Sequence, residues 1–111
     1  MPKYKLVFFA PRADTQPILA HLFDRFPLHV GGVGAYARCA FVSPGTGQFL
    51  PTEGASPAIG AVGAPEFVDE HRVEVLVLGS TSADVRAVVR ELKKVHPYEE
   101  VAYEIYRLED F

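Results

Sequence analysis

The chain has 111 residues, 49% of them apolar and 23% charged, which is the length and balance of one globular domain with one hydrophobic core rather than of a disordered tail. Its net charge is -3 and Lys93-Lys94 is the only adjacent basic pair, which argues against a phosphate-backbone footprint and so against nucleic acid as a partner. Cys39 is the only cysteine, which excludes an internal disulfide, and the apolar run from Leu6 to Ala10 is too short for a membrane span or a signal-peptide core; the expectation is a cytoplasmic protein without a membrane partner.

Tyr4 to Ala10 is nearly continuous in apolar and aromatic residues and stops at Pro11, the pattern of a central strand covered on both faces. Asp14 or Thr15 can cap a helix with Pro17 in its first turn, and Ile18, Leu19, Leu22, Phe23 and Phe26 fall on one stripe before Pro27 ends it. Gly31, Gly32 and Gly34 mark a turn, and Tyr36 to Ser43 then reads as a second strand. Pro44 to Pro65 holds many glycines and prolines and neither helical nor strand period, so it is expected to be a long loop or protruding ribbon, ordered by Phe49, Ile59 and Val62. At least one of Gly45, Gly47, Gly54 and Gly60 should sit at positive φ there.

Glu66 to Leu78 resumes strand character. Thr81 or Ser82 can cap a second helix, with Val85, Val88, Val89, Leu92 and Val95 on one face and Lys93 and Lys94 at the negative end of its dipole, until Pro97 stops it. Val101 to Leu108 is the last strand. The order βαββαβ predicts an α+β, ferredoxin-like single domain over residues 1 to 111: a four-stranded antiparallel sheet with both helices on one face. Strands that read as apolar on both faces, with helices enough for one, predict that the open face packs on another subunit.

Three segments could carry chemistry. Gly45-Thr46-Gly47-Gln48-Phe49 offers backbone N–H groups to an anion, although it matches neither the phosphate loop nor the dinucleotide fingerprint, and a tight turn opening the ribbon is the stronger expectation. Cys39 and His96, with Glu53, Glu99 and Glu100, are the candidate ligands for a divalent metal ion, and the pair Cys39 and His96 is the candidate for thiol catalysis. Pro97 holds His96 extended, so the turn His96-Pro97-Tyr98-Glu99 is expected to present an imidazole, a phenol and a carboxylate. Adjacent Glu99 and Glu100 point to opposite faces and cannot form one acid/base pair.

His96-Pro97-Tyr98-Glu99 resembles the entry to the last strand in CutA-like divalent-ion-tolerance proteins, ferredoxin-like trimers related in fold to the PII signalling proteins. A longer resemblance is to the small CutA-like domain of the dinuclear-metal, type-2 GTP cyclohydrolase I-like family named for the Ngg-one-interacting factor three. It is carried by Gly34 to Tyr36 with Cys39, by Pro44 to Phe49 followed by Glu53-Gly54-Ala55, Pro57 and Ile59 to Gly63, and by His96 to Glu100 with Ala102-Tyr103. Arg38 stands where the family often has histidine, which removes a nitrogen ligand beside Cys39. That family's dinuclear centre belongs to a larger domain outside these residues, so its catalytic label is not carried over. The resemblance implies a homotrimer and a non-enzymatic binding or regulatory role toward a small molecule or a protein. The expected ligand site comprises Gly45, Thr46, Gly47, Gln48, Glu53, His96, Tyr98 and Glu99; the candidate metal set is His96, Cys39 and Glu99. The alternative is a metal- or thiol-dependent enzyme using Cys39 and His96.

Overall fold

A computed structural model describes residues 2–79 and 82–111. Strand β1 (Lys3–Pro11) leads through a 3-10 turn (Arg12–Asp14) into helix α1 (Thr15–Arg25); β2 (Phe41–Phe49), β3 (Glu66–Leu78), α2 (Ser82–Val95) and β4 (Tyr103–Leu108) follow. The sheet runs β2-β3-β1-β4 and every neighbouring pair is antiparallel. This is the expected ferredoxin-like arrangement, with the longest strand, β3, and the most apolar one, β1, at its centre.

The period-two alternation of β1 decides which face is covered. Leu6, Phe8 and Ala10 point to the helices; Leu6 lies between Val75 and Ile105, and Phe8 between Val73 and Tyr103. Ile18, Leu19, Leu22 and Phe23 of α1 and Val85, Val88 and Leu92 of α2 close the core over them. Each of the fully buried large side chains contributes about 1.5–3 kcal/mol by leaving water. The other face of the sheet carries apolar residues as expected, with ion pairs among them. Val7 is buried there and Phe9 half-buried, but Lys5 pairs with Glu74 at 3.2 Å, and the Arg72 guanidinium lies 3.7 Å from Glu74 and over the Phe9 ring at 5.7 Å. The open face is thus mixed: by register Val7, Phe9, Phe41, Leu76, Leu78 and Leu108 share it with the ion-paired Lys5, Arg72 and Glu74.

The start of α1 also departs from its expected cap. Asp14 takes the capping position without a side-chain bond, while Thr15 is fully buried and its hydroxyl bonds His71 Nδ1 at 2.8 Å, tying the helix to β3. On α2, Ser82 is the first helical residue and Thr81 lies outside the described residues.

The second strand begins at Phe41, later than expected, because the chain before it turns back on itself. Val33 and Tyr36 exchange backbone hydrogen bonds at 2.9 Å, Gly34 and Arg38 have φ of 56° and 59°, and the Cys39 N–H donates to the Gly31 carbonyl. Gly31 is required there: its φ is 81° and a Cβ would meet the Phe23 ring and the Cys39 backbone. Cys39 is therefore a half-buried loop residue rather than a strand residue. In turn β2 runs on to Phe49, through Pro44, Gly45 and Gly47, and pairs with β3 residue by residue as far as Phe49 opposite Glu66. The expected long loop shrinks to residues 50–65.

Candidate functional site

On the open face, near the end of the sheet where β1 stops, a cleft of about 550 Å³ is walled by segments far apart in sequence: the β2 stretch Gly45 to Phe49, the loop from Leu50 to Ile59, Glu70 and Arg72 of β3, Phe9 of β1, and Tyr98 to Ala102. Its size is that of a small-molecule site. Two side chains of the turn after α2 hold these walls together. The Tyr98 hydroxyl donates to Glu70 Oε2 at 2.7 Å, and Glu99 Oε1 accepts the Ser56 backbone N–H at 2.7 Å. The first joins the turn to the sheet and the second joins it to the loop.

Each contact has a local cause. Glu70 is buried, and a Cβ on Gly47 would run into its carboxylate, so glycine at 47 leaves the room in which Glu70 reaches Tyr98. Removal of the phenol from water, and then its bond to Glu70, push Tyr98 well above the ordinary phenol range, so it stays a donor. The Phe49 ring meets the Tyr98 ring edge-on with centroids 6.0 Å apart. The loop is fixed by the Gly63 N–H donating to the Pro51 carbonyl at 2.8 Å and by the Ala55 N–H donating to Thr52 at 3.0 Å. Gly54, Gly60 and Gly63 take φ of 95°, 89° and 85°, so two of the four named glycines adopt the expected conformation, while Gly45 and Gly47 do not.

His96 is not presented to the cleft. It is buried; its Nε2 donates to the Phe9 carbonyl at 2.7 Å and its Nδ1 accepts the Tyr98 N–H at 3.1 Å. A carbonyl can only accept and an N–H can only donate, so these partners assign the neutral ring with its proton on Nε2, both nitrogens occupied. The imidazole ring packs under Tyr98, centroids 5.0 Å apart. The Phe9 carbonyl lies just past the last β1–β4 pair, Phe8 with Tyr103, and its capture by His96 explains why β4 begins at Tyr103 rather than at Val101.

Of the residues expected to bind, Gly45, Thr46, Gly47, Gln48, Tyr98 and Glu99 line this one cleft, within a single chain. Glu53 and His96 are not among its walls. Gly45 to Phe49 forms neither a tight turn nor an anion cradle, because it is an extended edge strand whose N–H groups alternate in direction instead of converging. The expected metal set does not assemble within the chain. Cys39 hangs from Gly31, which bonds the Leu76 carbonyl, whereas His96 is anchored at Phe9, opposite Arg72; those positions on β3 are about 13 Å apart. Among the described residues no group of three or more His, Cys, Asp or Glu gathers as metal ligands.

Phe9, Glu70 and Arg72 were missed from sequence, and Glu100, expected only as a metal ligand, borders the cleft. The signal was there in Asp69-Glu70-His71-Arg72, a charged run inside a strand, where alternation must send two of the four onto the open face.

Proteins of similar sequence match nearly the whole chain. A Mycobacterium tuberculosis protein named GTP cyclohydrolase 1 type 2 homolog is 42% identical over 104 residues, covering 94% of this chain and 26% of that protein. A Bacillus subtilis protein of the same name is 41% identical over 108 residues, covering 97% of this chain and 27% of that protein. The chain thus spans about a quarter of the length of the curated relatives it matches. Among solved structures, a Bacillus cereus protein related to NIF3 superposes with a TM-score of 0.77 at 34% identity, over 98% of this chain and 26% of that one. CutA from Archaeoglobus fulgidus gives 0.66 at 18% identity, over 98% and 86%. Bacillus subtilis GlnK, solved as a complex with ATP, gives 0.56 at 12% identity, over 96% and 82%. The last two share the fold alone. No family model matches the chain.

Proposed function

From a chain that is homologous over nearly its whole length to a quarter-length segment of the NIF3-related proteins, and that has a CutA- and PII-like fold, we propose a non-catalytic, self-associating binding or regulatory module. Its ligand site is the cleft between the β2–β3 ribbon and the Tyr98 turn. The observation that carries this is the construction of the cleft: Tyr98 and Glu99 each spend their polar atoms on tying one wall to another. Such bonds hold an open concavity in shape.

The alternative enzyme built on Cys39 and His96 has no shared site in the chain, and His96 has no free nitrogen for a metal or a thiol. GTP cyclohydrolase chemistry, which the relatives' names state, is not proposed for this segment. Assembly is proposed as a homotrimer and location as cytoplasmic. The first is supported by large apolar side chains left in water on the ribbon, Phe41 at 66% and Phe67 at 63% exposure. The second is supported by the lone cysteine, and among the described residues no helix is long and apolar enough to cross a membrane.

The test is a titration of the whole chain with a collection of small fragments at millimolar concentration, followed by amide NMR. Fragment binding should move the amides of Gly45, Gly47 and Ala102 together. If no fragment moves them, the cleft is not a ligand site.

A further inference from the structure

We infer that the ligand class of this cleft is a small organic cation, a protonated amine carried on an apolar body; this rests on the proposal that the cleft is a binding site. Three acidic residues, Glu70, Glu99 and Glu100, line it against a single basic one, Arg72; Glu99 and Glu100 fall in a bend and not in the strand, so the expected opposition of adjacent residues does not separate them. Their partners decide which acceptor atoms are open to a ligand, although the neutral donors on Glu70 and Glu99 leave both charges in place. Glu70 accepts from Tyr98, Glu99 holds the Ser56 N–H, and the Arg72 guanidinium is shared between Glu74 and the face of the Phe9 ring. Glu100 has no hydrogen-bond or ion-pair partner among the described residues. The unspent charge at the cleft is therefore negative.

The rest of the wall is apolar, chiefly Phe49, Pro57, Ile59 and Ala102. An anionic ligand would meet excess negative charge, with the one arginine already engaged. It would find no converging amides either, since Gly45 and Gly47 are extended strand residues. A neutral apolar ligand would cover the walls but gain nothing from the Glu100 carboxylate, which would stay with water. An amine on an apolar body uses both, its body on Phe49 and Ile59 and its ammonium at Glu100. Because Glu100 is exposed, its charge selects among ligands more than it holds them, so its contribution should be roughly two- to fivefold in affinity. Apolar burial supplies the rest.

Three probes of one shape separate the classes: 2-phenylethylamine, 2-phenylethanol and 3-phenylpropanoate, each titrated into the whole chain and read by amide NMR at low salt and at about 0.5 M salt. The amine should shift the amides of Phe49, Ile59 and Ala102 and bind roughly two- to fivefold more tightly than the alcohol. That advantage should shrink in Glu100→Gln and vanish in the unaltered protein at high salt, while alcohol binding stays the same. An amine no tighter than the alcohol, an advantage that survives both Glu100→Gln and salt, or a preference for the carboxylate would overturn the ligand class and leave the cleft as a site. Failure of all three probes to move the cleft amides would overturn the class, and with no other fragment bound it would take the binding proposal with it.

Discussion

At the residue scale, His96 shows how a side chain can read as chemistry and serve as structure. A histidine before proline at a helix end has the look of a presented ligand, because proline forbids the preceding residue a helical backbone. The ring folds inward instead. It spans the carbonyl of Phe9 and the amide of Tyr98, two backbone groups that neither β4 nor α2 reaches. Removing it orphans both, and a buried backbone group without a partner costs about 1–3 kcal/mol. We expect His96→Ala to lose about 2–4 kcal/mol of unfolding free energy in urea titration. The Tyr98 amide should lose protection in hydrogen exchange, because the turn that carries Tyr98 to Glu70 is no longer held. A variant as stable as the parent would return His96 to the role of a free ligand.

At the element scale, the two helices and the central strands were legible because their apolar periods are long and uninterrupted. Leu6, Phe8 and Ala10 repeat every second residue, and Val85, Val88 and Leu92 fall on one helical stripe. The second strand was not legible, for a physical reason. Pro44, Gly45 and Gly47 carry every local mark of a loop, and what makes them a strand is non-local, their pairing with His71, Glu70 and Val68. An edge strand tolerates proline because half of its amide nitrogens face away from the partner strand, and glycine at 47 is demanded by the Glu70 side chain across the ladder. The cleft was legible in half: its β2 and Tyr98 walls from their residues and from the resemblance, its β3 floor only as the charged run Asp69 to Arg72, whose partners across the sheet are non-local.

Between the helices, Glu91 of α2 accepts from His21 Nε2 of α1 at 2.9 Å and from Lys94 Nζ at 3.1 Å, with Arg25 Nε at 3.9 Å. The His21 bond first, and then Lys94, hold the Glu91 carboxyl below the usual carboxylate range. A lowered folded-state pKa favours the folded state wherever the unfolded carboxylate would be ionised, and that contribution disappears as pH falls through the folded value. Glu91→Gln should therefore lower Tm near neutral pH, and the gap to the parent should close as pH drops below about 4. Thermal unfolding followed by circular dichroism at both ends of that range measures it. A gap that persists in acid would mean that Glu91 acts by packing and not by charge.

At the scale of the whole molecule, the uncovered sheet face remains the feature that a lone chain explains least. Its apolar residues, Val7, Phe9, Leu76, Leu78 and Leu108 by register, are interrupted by the ion pairs of Lys5, Arg72 and Glu74. Those charges shield Val7 without covering the sheet, and the β2–β3 hairpin carries Phe41, within the four-stranded body, and Phe67, beyond the end of β1, on opposite faces by register. Two phenylalanines about two-thirds exposed on one hairpin are costly to leave in water, and β2 is also the edge of the sheet, which invites another chain. If association is the remedy, the apolar ribbon supplies its affinity and the ion-paired face its register and salt sensitivity. Light scattering at micromolar concentration should then give about three times the chain mass, and the double substitution Phe41→Ser, Phe67→Ser should shift it toward one chain mass. Because both side chains are exposed, that variant should keep its circular dichroism spectrum, which separates lost assembly from lost folding. A parent protein that scatters as a single chain would end the case for assembly, and the two phenylalanines would then stand as exposed residues with no partner to explain them.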